Sequence, residues 1–332
     1  MTEPASLAMP VLDAGLEGRL RDRLSEVEAQ LEVEIQSEAP FVTEACRHLL
    51  HAGGKRFRPL LVLLAAEAGS DPGAQDVLTA ACVVELTHLA SLYHDDVMDE
   101  AALRRGADSA NARWDNHVAI LAGDWLFSKS SELTARLGAE AVRIQAETFT
   151  RLVEGQILET VPATGEGLLE HYLRVVEGKT GSLIATSARY GAMFSGASHE
   201  VVAGLTSYGE KVGIAFQLSD DILDVGSESE ESGKTPGTDL REGVPTLPVM
   251  FALRSTDPED GRLQELLGGP LDDDRLHAEA LGLLRKHPAM DEARGYVLDL
   301  AREATDALSV LDDGPVKEAL VAFADLIATR TA

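Results

Sequence analysis

Residues 74–99 read AQDVLTAACVVELTHLASLYHDDVMD, an apolar helical stretch that ends in the acidic pentad DDVMD at 95–99. A second apolar stretch ends in the matching pentad DDILD at 220–224. One DDxxD arises easily by chance in an aspartate-rich chain, but a second copy in the same context indicates a function. On a helix the first and last aspartates of each pentad lie one turn apart on one face and can reach the same cation. The two pentads therefore predict two equivalent helices that face each other across one cavity.

The chemistry of the pentads favours a hard divalent ion. Clustered carboxylates repel each other and raise one another's pKa values, and a cation removes this penalty. All-oxygen ligands favour Mg²⁺ or Mn²⁺, and Mg²⁺ commonly takes one or two carboxylates together with substrate phosphates. Both pentads also place negative charge near a helix C-terminus, where the helix dipole opposes it. The alternative interpretation is that each pentad is a solvated helix end. It does not explain why the unfavourable interaction with the helix dipole occurs at both pentads.

The composition narrows the class of protein. The 332 residues, 45% of them hydrophobic, suffice for one large domain or two ordinary ones with a sizeable core. A net charge of −27 argues against nucleic acid and anionic membrane as general partners, since Lys and Arg hold both. Cys46 and Cys82 are the two cysteines of the sequence, and they lack metal-ligand spacing. So few cysteines argue against a disulfide framework and favour a reduced cytoplasmic compartment. Residues 1–14 lack the features of a signal peptide, and no uncharged run is long enough for a transmembrane segment.

The dominant periodicity of the chain is helical, and no alternating strand is convincing. Gly and Pro mark the junctions between helical patterns. Residues 226–245 form the one long polar insert, interpreted as a flap over a site, with an ordinary surface loop as the alternative. The sequence thus predicts an all-α fold. The predicted helices cover 16–35, 41–51, 59–68, 74–99, 117–137, 140–160, 168–195, 199–225, 246–254, 273–286, 289–311 and 316–329.

Positive charge gathers at a few points of this acidic chain. The segment 53–59, GGKRFRP, has glycines for a tight turn and Pro59 at the start of the next helix. A cationic helix start is electrostatically unfavourable, so an anion such as phosphate is expected there, with a basic surface turn as the alternative. Arg104-Arg105 follows the first pentad by about one turn. His88 lies two turns before Asp95, although a lone histidine is more often part of a packed core.

The ordered motifs resemble those of the trans-isoprenyl diphosphate synthases, also called polyprenyl synthetases, over about residues 40–250. The resemblance implies a single large helical bundle around a deep central cavity, spanning 1–332 with 1–14 as a flexible N-terminal tail. It also implies a homodimer that condenses isopentenyl diphosphate with an allylic diphosphate and releases diphosphate. The motifs are 53–59, Glu85 to His88 with 95–99, Arg104 to Gly106, Gly123-Asp124, Gly178 to Thr180, and Phe216 to Asp224.

The resemblance also assigns roles to individual residues. Mg²⁺, expected as three ions with substrate bound and replaceable by Mn²⁺, stabilises the diphosphate leaving group. Departure of the diphosphate leaves an allylic carbocation, and the resemblance implies that Thr180 and Gln217 also present dipoles to it. Family members often carry a Lys in the stretch that matches 243–246, and none is present here, so this part of the flap departs from the family pattern. The metal residues implied are Asp95, Asp99 and Asp220 as direct ligands, with Asp96, Asp221 and Asp224 in support. The implied isopentenyl diphosphate residues are Lys55, Arg58, His88 and Arg105, and the implied allylic diphosphate residues are Arg104, Lys179, Thr180, Gln217 and Lys234.

Product length is expected to depend on the helix that carries the first pentad. The growing chain should run from Asp95 back along this helix, past the small residues Ser91 and Ala90. Short-chain members of the family carry an aromatic residue near these positions, so its absence suggests a long-chain product. Such a product suits a quinone side chain, and family analogy alone points to that of menaquinone.

Other functions remain as alternatives. A short-chain synthase, making farnesyl or geranylgeranyl diphosphate, would differ only in product length. A terpene cyclase shares the ionisation chemistry but does not need the isopentenyl diphosphate site at 53–59. A non-catalytic regulatory subunit would be expected to lose one pentad, and both are intact.

Overall fold

The computed structural model describes residues 7, 9–161, 167–226 and 236–330. The chain divides into two compact units. The first unit contains Met1–Thr150, Leu183–Gly209 and Leu308–Leu320, and the second contains Arg151–Ser182, Glu210–Ala307 and Val321–Ala332. The single domain over 1–332 with a flexible tail stays a prediction, although Met9 within that tail is buried.

Helices account for most of the described residues, which confirms the all-α prediction. In chain order they are α1 (Ala14–Glu34), α2 (Pro40–His51), α3 (Phe57–Ala66), α4 (Gln75–Met98), α5 (Ala110–Arg113), α6 (Asn116–Arg136), α7 (Ala139–Thr160), α8 (Leu168–Val176), α9 (Ser182–Phe194), α10 (His199–Gly226), α11 (Thr238–Glu242), α12 (Leu247–Leu253), α13 (Gly261–Leu266), α14 (Asp274–Leu284), α15 (Ala289–Ala307) and α16 (Pro315–Thr329). The short 3₁₀ turns Pro258–Asp260 and Leu308–Val310 precede α13 and follow α15.

The centre of the first unit is α4, which packs against α1, α3 and α6. Most of its side chains are buried, including charged Glu85 and Asp96. A Cβ added to Gly123 of α6 would lie 2.4 Å from His94 Nε2 and 3.2 Å from Ala90 O, so this glycine allows α6 to approach α4. In the part of the chain described here, α4 is the helix long and apolar enough to cross a membrane, but most of its apolar stretch is buried within the protein.

The predicted helix 168–195 is interrupted, which corrects the sequence-based boundary. A π-helical turn, Glu177–Gly181, separates α8 from α9. Here two backbones come close: a Cβ on Gly178 would lie 2.6 Å from Arg151 O, and one on Gly155 would lie 2.6 Å from Lys179 N. Because only glycine permits this approach, the helix accommodates α7 by widening one turn, a distortion that often marks functional sites.

A short hairpin, absent from the sequence prediction, lies between α4 and α5. Its strands β1 (Leu103–Arg104) and β2 (Ala107–Asp108) are antiparallel, with Arg104 opposite Ala107. Arg105 and Gly106 form the turn with φ values of 56° and 79°. Two positive φ values are typical of the tight turns that match the twist of a hairpin.

Candidate active site

The hairpin β1–β2 places Arg104 next to the first pentad. Arg104 Nε and Nη2 both donate to Asp96 Oδ1, at 2.6 and 2.5 Å. Asp96 is fully buried, and burial raises the pKa of its carboxyl while the bonds from Arg104 oppose this. Asp96 therefore holds Arg104 in place, in addition to any support that it gives to a metal. Its second oxygen, Oδ2, is buried without a hydrogen-bond partner among the described residues.

The glycine turn at 53–56 gathers two arginines around its backbone. Arg56 is the N-cap residue before α3 and has the left-handed conformation, at φ 48°. Its guanidinium donates to Leu50 O at 2.7 Å and to the buried Glu85 carboxylate at 3.2 Å, so Arg56 stabilises the turn. Arg105 donates to Gly53 O and to Leu49 O. A Cβ on Gly54 would lie 2.6 Å from Arg105 Nη1, so these contacts require glycine there.

This arrangement corrects the predicted start of α3. The helix begins at Phe57, so Pro59 occupies its first turn and not its first position. Proline is tolerated there because the first N–H groups of a helix have no intrahelical acceptor.

His88 lies among the arginines of the first unit. Burial, and then the charges of Arg58, Arg105, Arg104 and Arg56, hold the pKa of His88 well below its usual value. The ring is therefore neutral at pH 7, and one of its nitrogens can donate a hydrogen bond to an anion. Burial also lowers the pKa of Arg58 to about 10, far above neutral pH, so Arg58 remains charged.

Arg58 and Lys55 have positive charge to offer a ligand. Arg58 Nε is buried without a hydrogen-bond partner, and Lys55 is exposed and forms no ion pair within the described residues. Both belong to the predicted isopentenyl diphosphate residues, and these unsatisfied donors suit phosphate oxygens. The cations and neutral His88 form what we call the cationic cluster: Lys55, Arg56, Arg58, His88, Arg104 and Arg105.

The second pentad lies near the end of α10, within a hydrogen-bonded chain of four side chains. Thr180 Oγ1 donates to Gln217 Oε1 at 3.2 Å, and Gln217 Nε2 donates to Asp221 Oδ1 at 3.0 Å. The hydroxyl of Tyr172 donates to Asp221 Oδ2. Burial raises the pKa of Asp221 to about 6, and the charges of Asp220 and Asp224 also raise it. The hydrogen bonds from Tyr172 and Gln217 act in the opposite direction. Asp221 therefore positions Gln217 and, through it, Thr180.

The other two aspartates of this pentad have different surroundings. Asp220 is exposed, and Arg330 Nη2 donates to its Oδ1 at 2.8 Å. Asp224 accepts from the backbone N–H groups of Thr238 and Asp239, at 3.3 and 3.2 Å. Asp224 thus holds the start of α11 against the end of α10, which is a structural role beside the predicted support of a metal.

The lysines among the predicted allylic diphosphate residues are Lys179 and Lys234. Lys179, on the π-helical turn, donates to Glu159 Oε2 of α7 at 2.6 Å. Lys234 and the rest of 227–235 within the predicted flap lie outside the described residues, so the flap and this role stay predictions. At its described end, residues 243–246 lead from α11 to α12 with Gly243 at φ 73°.

The pentads fit a divalent cation by their donor chemistry. Asp95 and Asp99 lie one turn apart, with the Asp99 N–H donating to Asp95 O at 2.8 Å. Within the described ranges no three His, Cys, Asp or Glu side chains converge closely enough to hold a metal unaided. Mg²⁺ does not require this, because water and substrate phosphates complete its ligand set. The carboxylates therefore suit a metal that binds together with a diphosphate.

The two predicted chain-length positions differ in accessibility. Ala90 is fully buried, and its carbonyl lies beside Gly123 of α6. Ser91 is partly exposed, and its hydroxyl donates to His88 O at 2.8 Å. Because residues three or four apart share a helix face, Ser91 lies on the face of His88 and Asp95. Ser91 is therefore the better candidate for contact with a growing chain.

Two residues of this region were missed by sequence reasoning. Tyr172 lies 49 positions from its partner Asp221, and Arg330 lies 110 positions from Asp220. Neither belongs to a motif, since each reaches the pentad from a separate helix. The one available signal was a lone tyrosine and a lone arginine at the ends of amphipathic stretches, which is too common to identify them.

Comparison with known proteins supplies the family. Residues 39–284 match the polyprenyl synthetase family model. A nonaprenyl diphosphate synthase from Mycobacterium tuberculosis is 50% identical over 320 residues, covering 96% of this chain and 95% of its own. A dimethylallyltranstransferase of the same organism is 40% identical over 319 residues, covering 96% and 97%.

Solved structures agree with this assignment. A geranylgeranyl pyrophosphate synthase from Corynebacterium glutamicum, complexed with calcium and isoprenyl diphosphate, is 46% identical with a TM-score of 0.89, covering 97% of this chain and 99% of its own. A decaprenyl diphosphate synthase from Rhodobacter capsulatus is 34% identical with a TM-score of 0.86, covering 96% and 99%. The resemblance drawn from the motifs is confirmed. The chain belongs to the polyprenyl synthetase family, and it is a prenyltransferase.

Proposed function

We propose that this prenyltransferase condenses isopentenyl diphosphate with farnesyl or geranylgeranyl diphosphate to make a long-chain all-trans-polyprenyl diphosphate. The observation that carries the proposal is the cationic cluster around neutral His88, in a chain whose two pentads are intact. A terpene cyclase has no use for a second diphosphate site of this kind. Incubation of the pure protein with Mg²⁺, labelled isopentenyl diphosphate and each allylic primer, followed by sizing of the products, tests the proposal. Absence of any condensation product would refute it.

The residues of each site act in the reaction as follows. Lys55, Arg58, His88 and Arg105 bind isopentenyl diphosphate, with His88 donating one hydrogen bond from a ring nitrogen. Lys179 and Arg104 bind the allylic diphosphate and stabilise the charge that it gains as the C–O bond breaks. The dipoles of Thr180 and Gln217 face the allylic cation, and Asp221 fixes the Gln217 amide. The alkene of isopentenyl diphosphate attacks the allylic cation, and the released diphosphate takes the final proton, so the reaction needs neither a protein nucleophile nor a protein base.

Mg²⁺ is the proposed cofactor, as three ions with substrate bound, and Mn²⁺ is proposed to replace it. Asp95, Asp99 and Asp220 are the proposed direct ligands. When bound, the metal supplies positive charge to the leaving diphosphate. The Corynebacterium relative was crystallised with calcium and isoprenyl diphosphate, which supports a divalent cation beside a diphosphate.

Substitution of one cation in each site should separate the two substrates. We expect Arg58→Ala mainly to raise the KM for isopentenyl diphosphate, and Lys179→Ala mainly to raise that for the allylic diphosphate. Each effect should be roughly 10-fold or more, because a hydrogen bond to a charged group contributes about 1.5–3 kcal/mol. Arg174→Ala is a matched control, since Arg174 is exposed on α8 and, among the described residues, its ion pair is with Glu170. Equal changes in both KM values for either variant would contradict the assignment.

We also propose that the enzyme is a homodimer that assembles through α6 and α7. Leu121 is 66% exposed on α6, and Val142, Phe149 and Val153 form an exposed apolar stripe on α7. Phe127 and Phe149 join the two helices, with ring centroids 4.6 Å apart. We expect sedimentation equilibrium to give twice the chain mass for the parent and the chain mass for Leu121→Glu. Val33→Glu, an exposed apolar position on α1, should remain a dimer, and a monomeric parent would exclude the proposal.

The location and pathway are further proposals. Cys46 and Cys82 are free and buried, and burial raises the pKa of each thiol to about 12, which suits a reduced cytoplasmic compartment. Fractionation of cells that express the tagged protein tests this location, and recovery outside the cytoplasm would exclude it.

We propose menaquinone as the use of the product. Depletion of the protein should then lower the menaquinone content of the cell, and an unchanged content would contradict this role.

A further inference from the structure

Arg330, directly after the last residue of α16, makes an unusually complete set of contacts with α10. Its Nη2 donates to Phe216 O at 2.6 Å and lies 2.8 Å from Asp220 Oδ1. Its Nε donates to Ser219 Oγ at 2.7 Å, and its guanidinium lies 4.4 Å from the centre of the Phe216 ring. One side chain thus binds a backbone carbonyl, a hydroxyl, a carboxylate and an aromatic ring within one turn of α10.

These contacts belong to a built site and not to a chance surface pair. Ser219 is fully buried, and its hydroxyl also donates to Ile327 O of α16 at 3.1 Å. The guanidinium is planar and rigid, so binding at Phe216 and Ser219 fixes the direction of the donor that reaches Asp220. Burial lowers the pKa of Arg330, and the Asp220 carboxylate opposes this. The arrangement therefore orients the Asp220 side chain from a rigid base.

We propose that Arg330 is a positioning residue that holds Asp220 in the orientation required for divalent-cation binding. The proposal rests on the proposed role of Asp220 as a metal ligand. Groups that orient a metal ligand typically change metal affinity or activity by 10- to 100-fold when removed. A positive charge beside Asp220 would by itself weaken cation binding. If Arg330 acts by orientation, its removal should weaken Mg²⁺ binding, and if it acts only by charge, its removal should strengthen Mg²⁺ binding.

Arg330→Met tests orientation, because Met keeps an apolar stem against Phe216 and removes every donor. We expect the Mg²⁺ concentration for half-maximal turnover to rise roughly 10-fold. We also expect a smaller increase in Tm when Mg²⁺ and inorganic diphosphate are added together. Arg330→Lys should restore part of both effects, because an ammonium group can pair with Asp220 but cannot bridge Phe216 O and Ser219 Oγ in the same geometry.

The controls separate this proposal from the metal assignment. Lys317→Met removes another cation of α16, one that pairs with Asp313, and should leave the Mg²⁺ requirement and the ligand-induced Tm increase unchanged. Asp220→Ala should lose most of that Tm increase. If it does not, the metal role of Asp220 fails. Suppose instead that Asp220→Ala loses the Tm increase, while Arg330→Met binds Mg²⁺ as tightly as the parent or more tightly. In that case only the positioning role of Arg330 is refuted. A rise in the KM for isopentenyl diphosphate alone would also refute it.

Discussion

Asp95→Ala and Asp220→Ala are each expected to lower turnover roughly 1,000-fold or more. A metal that neutralises a leaving group contributes several kcal/mol, and each 1.36 kcal/mol corresponds to about a factor of ten in rate. The fold should persist, because removal of one carboxylate relieves repulsion within its pentad. Arg330 also keeps its bonds to Phe216 O and Ser219 Oγ when Asp220 is removed. Steady-state kinetics and circular dichroism measure the two outcomes.

Asp312→Ala is the matched control for general loss of charge. Asp312 is exposed in the turn between α15 and α16 and belongs to neither pentad. This variant should retain the turnover of the parent. Unchanged turnover in Asp95→Ala or Asp220→Ala would overturn the metal assignment, because neither aspartate has another role in the proposed reaction.

Ser91→Phe is expected to shorten the product to about the farnesyl or geranylgeranyl length while condensation continues. Ser91 lies one turn before Asp95 on the same face of α4, about 6 Å along the helix axis. A phenyl ring on this partly exposed position would fill the path that a serine leaves open. Initiation should survive, because the proposed diphosphate and metal sites lie at the pentad end. Chromatography of the dephosphorylated alcohols gives the product lengths.

Ala90→Phe, one position away, should behave differently. Ala90 is fully buried beside α6, so a ring there overpacks the contact between α4 and α6, at a cost of about 1–3 kcal/mol in the free energy of unfolding. We expect a clear fall in Tm for Ala90→Phe and a small one for Ser91→Phe. If Ser91→Phe gives the product distribution of the parent, the growing chain does not pass this face of α4, and the long-chain interpretation loses its structural basis.

Much of the fold follows from the sequence because its signals are local. The periodicity of α4 and α10, the paired aspartates at their ends and the glycines before α3 can all be identified without knowledge of distant contacts. The interruption between α8 and α9 cannot, since it depends on a glycine of α7 that lies more than 20 residues earlier. The same holds for functional residues. Asp221 was predicted as a support for metal, but its bond from Tyr172 depends on where α8 lies.

The roles of the arginines show the same limit. Arg56, Arg58 and Arg105 are equivalent by charge, and each lies in a motif of the family resemblance. Burial and partners separate them, because Arg56 pairs with Glu85 while Arg58 forms no ion pair among the described residues. Sequence reasoning assigned Arg58 and Arg105 to substrate through the resemblance, and local chemistry alone would not have set Arg56 apart.

The close approach of Gly155 and Gly178 limits how this enzyme can change over time. A clash between side chains is often relieved by a new rotamer, but here an added Cβ would meet backbone atoms at 2.6 Å on either side. No single substitution at one glycine can be compensated by a change at the other, because both positions already lack a side chain. Glu159, one turn after Gly155, pairs with Lys179, so the same crossing fixes the place of a proposed catalytic cation. Variation that preserves function is therefore expected around these two positions and not at them.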